Sequence, residues 1–375
     1  MAGIYIHIPF CKTICHYCDF YKTANLKPLD QFVSILLKEI FIKKELINEN
    51  ISTIYFGGGT PSLLDVKSLG LIFKELYDCF EIGNDVEITI EVNPDDLTIG
   101  NLKALKAMGF NRLSIGIQSF SDTILKFLNR RHLAEVSKSC IKMARSAGFQ
   151  NISGDLIYGI PGQSVEQFRT DLDYFAEMNV PHLSAYHLGI EYSTYFGKLK
   201  NLGRLAEIDE QLSEKFYDVL LDWSSGNNYE HYEVSSFCQN GLYSKHNKAY
   251  WFLVPYLGFG PSAHSFLPGK RFFNVSNINK YLRAIEDGEV FYETEILSDL
   301  NRFNEYLMLG LRTKWGVNLN KIDEMIGHQK YEIVMRSVSK LRESGYLRIA
   351  ENQLLINEKA LFVSDYIIRE LILEN

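Results

Sequence analysis

Three cysteines, Cys11, Cys15 and Cys18, fall within eight residues in the spacing C-x3-C-x2-C. The chain has six cysteines among 375 residues, so half of them stand in one loop. Thiolates this close in sequence can converge on one soft metal centre if the loop curls. A structural zinc site usually takes a fourth Cys or His and a paired C-x2-C spacing. His16 is nearby but lies inside the cluster, where the same short loop would have to wrap it around one ion. A disulfide would leave an odd thiol, and nothing else in the chain points to an oxidising compartment. Iron–sulfur clusters are held by Cys thiolates, normally four. Three ligands would leave one iron of a [4Fe–4S] cube open to a small chelating ligand, much as a catalytic zinc keeps a position free. The open-iron reading is favoured over zinc and over a group of buried structural cysteines.

Two further stretches carry chemistry. Gly57-Gly58-Gly59-Thr60-Pro61 has more glycine than a tight turn needs, and three in a row suit close approach of a ligand to the backbone. It is not a phosphate loop, because the Lys of that motif is missing. Downstream, His246 in HNKAYW and His264 in GFGPSAHS each stand beside aromatics and a glycine-rich turn. Imidazole is a common axial ligand of haem iron and aromatics suit a porphyrin face, so these two are the haem candidates. His7, His182 and His328 read as structural groups.

These residues need elements to position them. Strands are expected at 4–8, 51–56, 86–92, 113–117, 152–158 and 182–189, alternating with helical patterns at 28–50, up to about 80, 102–108, 121–128, 133–147 and 164–178. Six strand–helix units in succession imply right-handed crossovers and a parallel sheet. A doubly wound open sheet is the alternative, but its G-x-G-x-x-G turn is absent. A barrel is favoured because Cys11, Gly57 to Thr60, Glu91, Gln118 and Asp155 all fall at or just past the C-terminal ends of expected strands, the rim that builds active sites in α/β barrels. The fold class is therefore α/β, a partial parallel (β/α)6 barrel over residues 1–235. A connecting segment, 236–298, carries the two histidine motifs. Residues 299–375 read as a small helical, winged-helix-like domain, with helices at 299–313, 320–326, 330–344 and 358–373 and short strands at 346–349 and 354–356.

Bulk properties narrow the field. A formal charge of -7 argues against a broadly basic nucleic-acid surface. No apolar run approaches the ~20 residues of a membrane span, and the N-terminus lacks the charged and apolar regions of a signal peptide. The expectation is a soluble cytoplasmic protein that binds no nucleic acid; peripheral membrane contact stays open. Aromatics make up 13% of the chain, which suits either ordinary packing or a large flat ligand.

The cysteine spacing, with Tyr17 just before the third Cys, resembles that of radical S-adenosylmethionine (SAM) proteins. With YIHIPFC, GGGTPS, EVNP, GIQSF, NRRH, GDLIYGIPGQ, HNKAYW and GFGPSAHS together, nearly the whole chain resembles the oxygen-independent coproporphyrinogen III oxidase-like family, and within it the haem-chaperone branch. The resemblance implies that Cys11, Cys15 and Cys18 ligate a [4Fe–4S] cluster whose open iron is chelated by the methionine end of SAM. It implies that Tyr5, Tyr17, Gly58, Gly59, Thr60, Glu91, Gln118, Arg130 and Asp155 contact SAM, with Tyr186 and His264 at two further pocket positions. The glycine row then reads as a seat for the amino-acid end of SAM. The true oxidase has a further Cys two residues after the third and a longer leading segment, whereas this chain has Phe20 there and begins almost at its first strand. HNKAYW fits the HNxxYW pattern that the chaperone branch links to haem. The expected function is therefore binding of haem and transfer to acceptor haemoproteins, with an electron donor as a further partner. Decarboxylation of coproporphyrinogen III is the alternative, so enzyme status is left open.

Overall fold

A computed structural model describes residues 1–374. The core begins β1 (Ala2–Ile8), α1 (Leu29–Lys43), β2 (Ile51–Gly58), α2 (Val66–Cys79), β3 (Ile82–Val92), α3 (Ile99–Met108) and β4 (Arg112–Gln118). It continues with α4 (Asp122–Phe127), α5 (Ala134–Ser146), β5 (Asn151–Tyr158), α6 (Val165–Glu177) and β6 (His182–His187). The expected alternation is present throughout. Local signals set the ends: Thr98 and Asn101 form a capping box at the start of α3, and Gly109, at φ 113°, ends it.

Strand order follows chain order from β1 to β6, and every neighbouring pair is parallel. Right-handed crossovers repeated in one direction lay the helices on one face and let the other curl inward. A doubly wound sheet would reverse its order midway, and this one does not. The barrel is partial. Beyond β6 the chain forms α7 (Tyr195–Asn201), α8 (Glu210–Gly226), β7 (Glu230–Glu233), β8 (Ser236–Cys238), α9 (Lys245–Trp251) and β9 (Tyr256–Phe259). β9 joins β1 in parallel and β8 joins β6 antiparallel, so β1 and β6 never meet.

Side chains alternate across each strand. The helix-covered face is apolar and buried: Ile4, Ile6 and Ile8 on β1, Ile54 and Phe56 on β2, Ile88 and Ile90 on β3, Leu113, Ile115 and Ile117 on β4. The other set includes Tyr5, His7, Thr53, Glu87, Thr89, Glu91, Arg112, Ser114 and Asp155. The interior is thus polar, a wall for a ligand rather than a second oily core.

Segment 236–298 is more than a connection. After β9 come β10 (His264–Leu267), β11 (Lys270–Asn274), α10 (Ile278–Glu286) and β12 (Tyr292–Ile296), and its strands extend the same sheet past β1. This edge is tied to α1 by a buried network. Lys43 Nζ donates to Glu39 Oε1 (2.7 Å), the Gly258 carbonyl (3.0 Å) and Asn274 Oδ1 (2.9 Å). Glu39 Oε2 accepts from the Gly260 amide (2.7 Å) and the Tyr281 hydroxyl (2.5 Å).

The C-terminal unit comprises α11 (Asp299–Gly310), β13 (Val317–Asn318), α12 (Leu319–Ile326), α13 (His328–Glu343), β14 (Leu347–Ala350), β15 (Gln353–Ile356) and α14 (Ser364–Arg369). Its sheet has three strands in the order β13-β15-β14, one more than the sequence suggested, because β13 is only two residues long. The expected last helix is split into a 3-10 turn, Glu358–Val363, and α14. No helix among the described residues is long and apolar enough to cross a membrane.

Candidate functional site

The cysteine loop leaves the C-terminal end of β1 and is pinned from three sides. The Cys11 amide donates to the Thr23 carbonyl (3.0 Å) and the Thr23 amide to the Pro9 carbonyl (2.7 Å). The end of α4 holds the middle: the His16 amide donates to the Leu128 carbonyl (3.2 Å), and Asn129 Nδ2 to that of Ile14 (2.8 Å). From the segment after β6, the Phe196 amide donates to the His16 carbonyl (3.0 Å) and the Tyr195 ring lies 4.2 Å from the His16 ring. His16 Nδ1 bonds the Phe127 carbonyl (3.0 Å), so the imidazole is engaged with α4.

Next to this loop lies a cavity of about 410 Å³. Cys11, Cys15 and Cys18 line it, and so do Tyr17, Gly58, Gly59 and Thr60. The ends of β3 to β6 complete it with Glu91, Gln118, Asp155 and Tyr186, and Arg130 enters after α4. Residues more than 170 positions apart in sequence thus share one wall.

Tyr5, His246 and His264 do not. Tyr5 sits a layer deeper, its hydroxyl 3.1 Å from His7 Nδ1 and its ring stacked on Tyr55 at 6.1 Å. His246 is 1% exposed, and both ring nitrogens are engaged, Nδ1 with the Thr53 hydroxyl (2.8 Å) and Nε2 with that of Tyr250 (2.7 Å). In this arrangement both nitrogens of this haem candidate are taken up by hydroxyl groups. His264 is exposed at the start of β10 and packs edge-on against Phe273 at 4.7 Å. His7 and His182 are buried and hydrogen-bonded as expected, whereas His328 is exposed near Asp323.

The glycine row is required by packing as well as by the cavity. At Gly58, φ 109°, a Cβ would lie 2.6 Å from the His7 ring, and at Gly59 it would lie 2.7 Å from the Phe10 carbonyl. Gln118 also has a left-handed φ, 69°, where β4 breaks register with β5. That turn directs a non-glycine residue to the rim at a cost in backbone strain.

Sequence reasoning missed Asn93 and Gly116. Arg130 Nη2 donates to Asn93 Oδ1 (2.6 Å) and to the Gly116 carbonyl (2.8 Å), while Nη1 is 3.3 Å from Cys15 Sγ. Asn93 Nδ2 in turn donates to the Thr60 hydroxyl (3.0 Å). The EVNP motif held the signal for Asn93; for Gly116 nothing local did.

Electrostatically the rim is unfinished. Glu91 Oε1 accepts from the Tyr55 hydroxyl (2.8 Å) and Oε2 from the Gly58 amide (3.1 Å), yet burial, with Asp155 nearby, pushes its pKa up to about 7. Burial likewise pushes Asp155 up to about 6. Two recessed carboxylates on one cavity wall would suit a cationic guest. Arg130 Nε is buried with no partner. Burial also pushes the Cys11 thiol up to about 11, and a bound metal would favour its thiolate form.

Residues 5–175 match the radical SAM superfamily and residues 297–363 the HemN C-terminal domain. The chain is 37% identical over 320 residues to the heme chaperone HemW of Lactococcus lactis, covering 85% of this chain and 83% of the relative. To HemW of Bacillus subtilis it is 32% identical over 363 residues, 96% of both chains. Its fold is similar to that of the coproporphyrinogen III oxidase HemN of Escherichia coli, with a TM-score of 0.86 at 23% identity over 99% of this chain and 90% of that one. Radical SAM membership implies a [4Fe–4S] cluster and SAM, and the residues present fit both. Among the described residues, no three His, Cys, Asp or Glu are grouped as ligands of a single metal ion. The three thiols instead line the wall of a cavity, beside a partnerless guanidinium nitrogen and two carboxylates suited to an ammonium.

Proposed function

The chain belongs to the HemW family of radical SAM proteins, and from that premise we propose that it binds haem and hands it to acceptor haemoproteins in the cytoplasm. The observation that carries this reading is the similarity to heme chaperones along the full chain, 96% of both lengths in one case. Cys11, Cys15 and Cys18 would hold the cluster, which when bound supplies one-electron chemistry and an iron position open to SAM. Glu91 would accept the SAM ammonium group, with Gly58, Gly59 and Thr60 beneath it. Arg130 would turn its Nε to the same ligand while its other nitrogens stay on Asn93, Gly116 and Cys15. Asp155, Gln118, Tyr17 and Tyr186 would enclose the rest. For haem, His264 is the accessible one of the two candidate imidazoles, and the exposed Phe20, lining the cavity, offers an apolar face.

The test is anaerobic reconstitution, haem titration and transfer to an apo-acceptor, with and without the cluster. Stoichiometric haem uptake and cluster-dependent transfer are expected. Repeated turnover of coproporphyrinogen III to protoporphyrinogen IX with SAM consumed would overturn the proposal in favour of the oxidase.

A further inference from the structure

The HNKAYW motif has a structural place that its sequence does not disclose. It forms α9, and His246 rises from that helix into the lower end of the barrel interior. Its amide donates to Glu87 Oε1 (3.2 Å), and its ring is held by Thr53 and Tyr250 as described. Gly3 leaves the room it occupies: a Cβ there would lie 2.9 Å from Thr53 Oγ1 and 3.4 Å from the His246 ring. The imidazole stacks on Tyr55 at 5.1 Å and 25°, and on Tyr5 at 6.3 Å and 25°. Tyr55 carries the hydroxyl that donates to Glu91. One aromatic ring therefore separates the buried histidine from the rim carboxylate.

We propose that His246 is a positioning residue for the SAM site: clamped by Thr53 and Tyr250, its ring sets the Tyr55 ring, and Tyr55 aims the Glu91 carboxylate. The inference rests on the reading of Glu91 as a SAM-binding group. Packed interiors transmit displacement because they have few voids. Removing the imidazole opens space directly beneath Tyr55 and strips a partner from two buried hydroxyls. Tyr55 then loses the surface that fixes its plane. Shape and two hydrogen bonds do this work, because burial pushes the His246 pKa down to about 3 and the ring stays neutral.

Glu91 reports the outcome. The Tyr55 hydroxyl lowers its pKa against burial, together with the Gly58 amide from β2 and Arg112 from β4. Asp155 on β5 raises it, and the hydroxyls of Tyr5, Tyr186 and Tyr250 are within range of its charge. Loss of Tyr55's hydrogen bond should therefore move the acid limb of SAM binding to higher pH.

The experiment is calorimetric titration of SAM into the anaerobically reconstituted protein between pH 6 and 8.5. Tyr55→Phe should weaken SAM by about 3- to 10-fold and shift the acid limb upward. His246→Ala should do the same, and the double variant should add little, as groups acting in series are non-additive. Wild-type SAM affinity and acid limb in His246→Ala would overturn the proposal, as would full additivity with Tyr55→Phe. If His246→Ala does not fold, Tyr250→Phe removes one clamp only; a SAM affinity weakened about 2-fold or more supports the proposal, and wild-type behaviour overturns it. Glu91→Gln is the separate control: unchanged SAM affinity there would overturn the SAM-site reading itself.

Discussion

Two side chains at opposite ends of the barrel interior, His246 below and Arg130 above, are left in opposite states. At the lower end every polar atom of His246 has a partner, and the ring is 1% exposed. At the upper end Arg130 Nε has none, and Glu91 and Asp155 are held near pH 7 and 6. A buried polar group without a partner costs free energy, and of the buried atoms without one Arg130 Nε belongs to a residue lining the cavity, where a ligand would complete it. The contrast locates the site more firmly than any single residue does. It also separates two histidines of equal promise in the sequence: His246 is part of the closed end, and His264 is free.

The largest test of the contrast is at the thiols. Replacing Cys11, Cys15 and Cys18 together by Ala should take iron from ~4 per chain to essentially none, read by iron analysis after anaerobic reconstitution. Retained iron would break the assignment of the upper end. Glu91→Gln should weaken SAM by about 10- to 100-fold, because a charge-assisted contact is lost.

The same variant should stabilise the ligand-free protein. Glu91 has a folded pKa of about 7 against 4.5 unfolded, so the folded state binds more protons in between. Its contribution to stability is present below the unfolded value and is lost as pH rises through about 7. The gain from Glu91→Gln, measured as a difference in melting temperature from wild type, should be greatest near pH 8 and fade toward pH 4.5. A constant difference would mean that Glu91 is not strained by its surroundings.

Variants in the closed regions should lose stability while keeping their iron. Lys43→Met leaves Glu39 buried, though still held by Gly260, Asn274 and Tyr281, and should cost about 3 kcal/mol in urea unfolding, at the low end for a broken buried pair. Thr53→Val removes the partner of His246 Nδ1 and should cost about 1–3 kcal/mol with iron content unchanged. Loss of iron in either variant would blur the division drawn here. His264→Ala, at an exposed ring, should lower haem uptake with the smallest change in melting temperature.

Much of the upper end was legible in sequence. The alternation of strands and helices fixed the βα units, because period and spacing are local properties. The C-terminal strand ends then gathered Cys11, Gly58, Glu91, Gln118 and Asp155 on one rim, since parallel strands in sequential order place like ends together. Several short strands were not legible, unlike β14 and β15: β13 has two residues and β9 to β12 four or five each, with glycine and proline among their turns. Their pairing comes from distant partners, β9 finding β1 across about 250 residues of chain.

By itself, then, the amino-acid sequence determined the loop of three thiols, the repeated βα order and the rim. Each follows from neighbours in the chain and from the rule that side chains alternate along a strand. Tertiary structure alone decided which histidine is closed and which is open. It also decided that Asn93 and Gly116 hold Arg130, and that Tyr5 lies beneath the cavity instead of in its wall. Imidazole has the same chemistry in either place. Whether its nitrogens are free depends on Thr53, Gly3 and Tyr250, and no spacing in the sequence brings those three together.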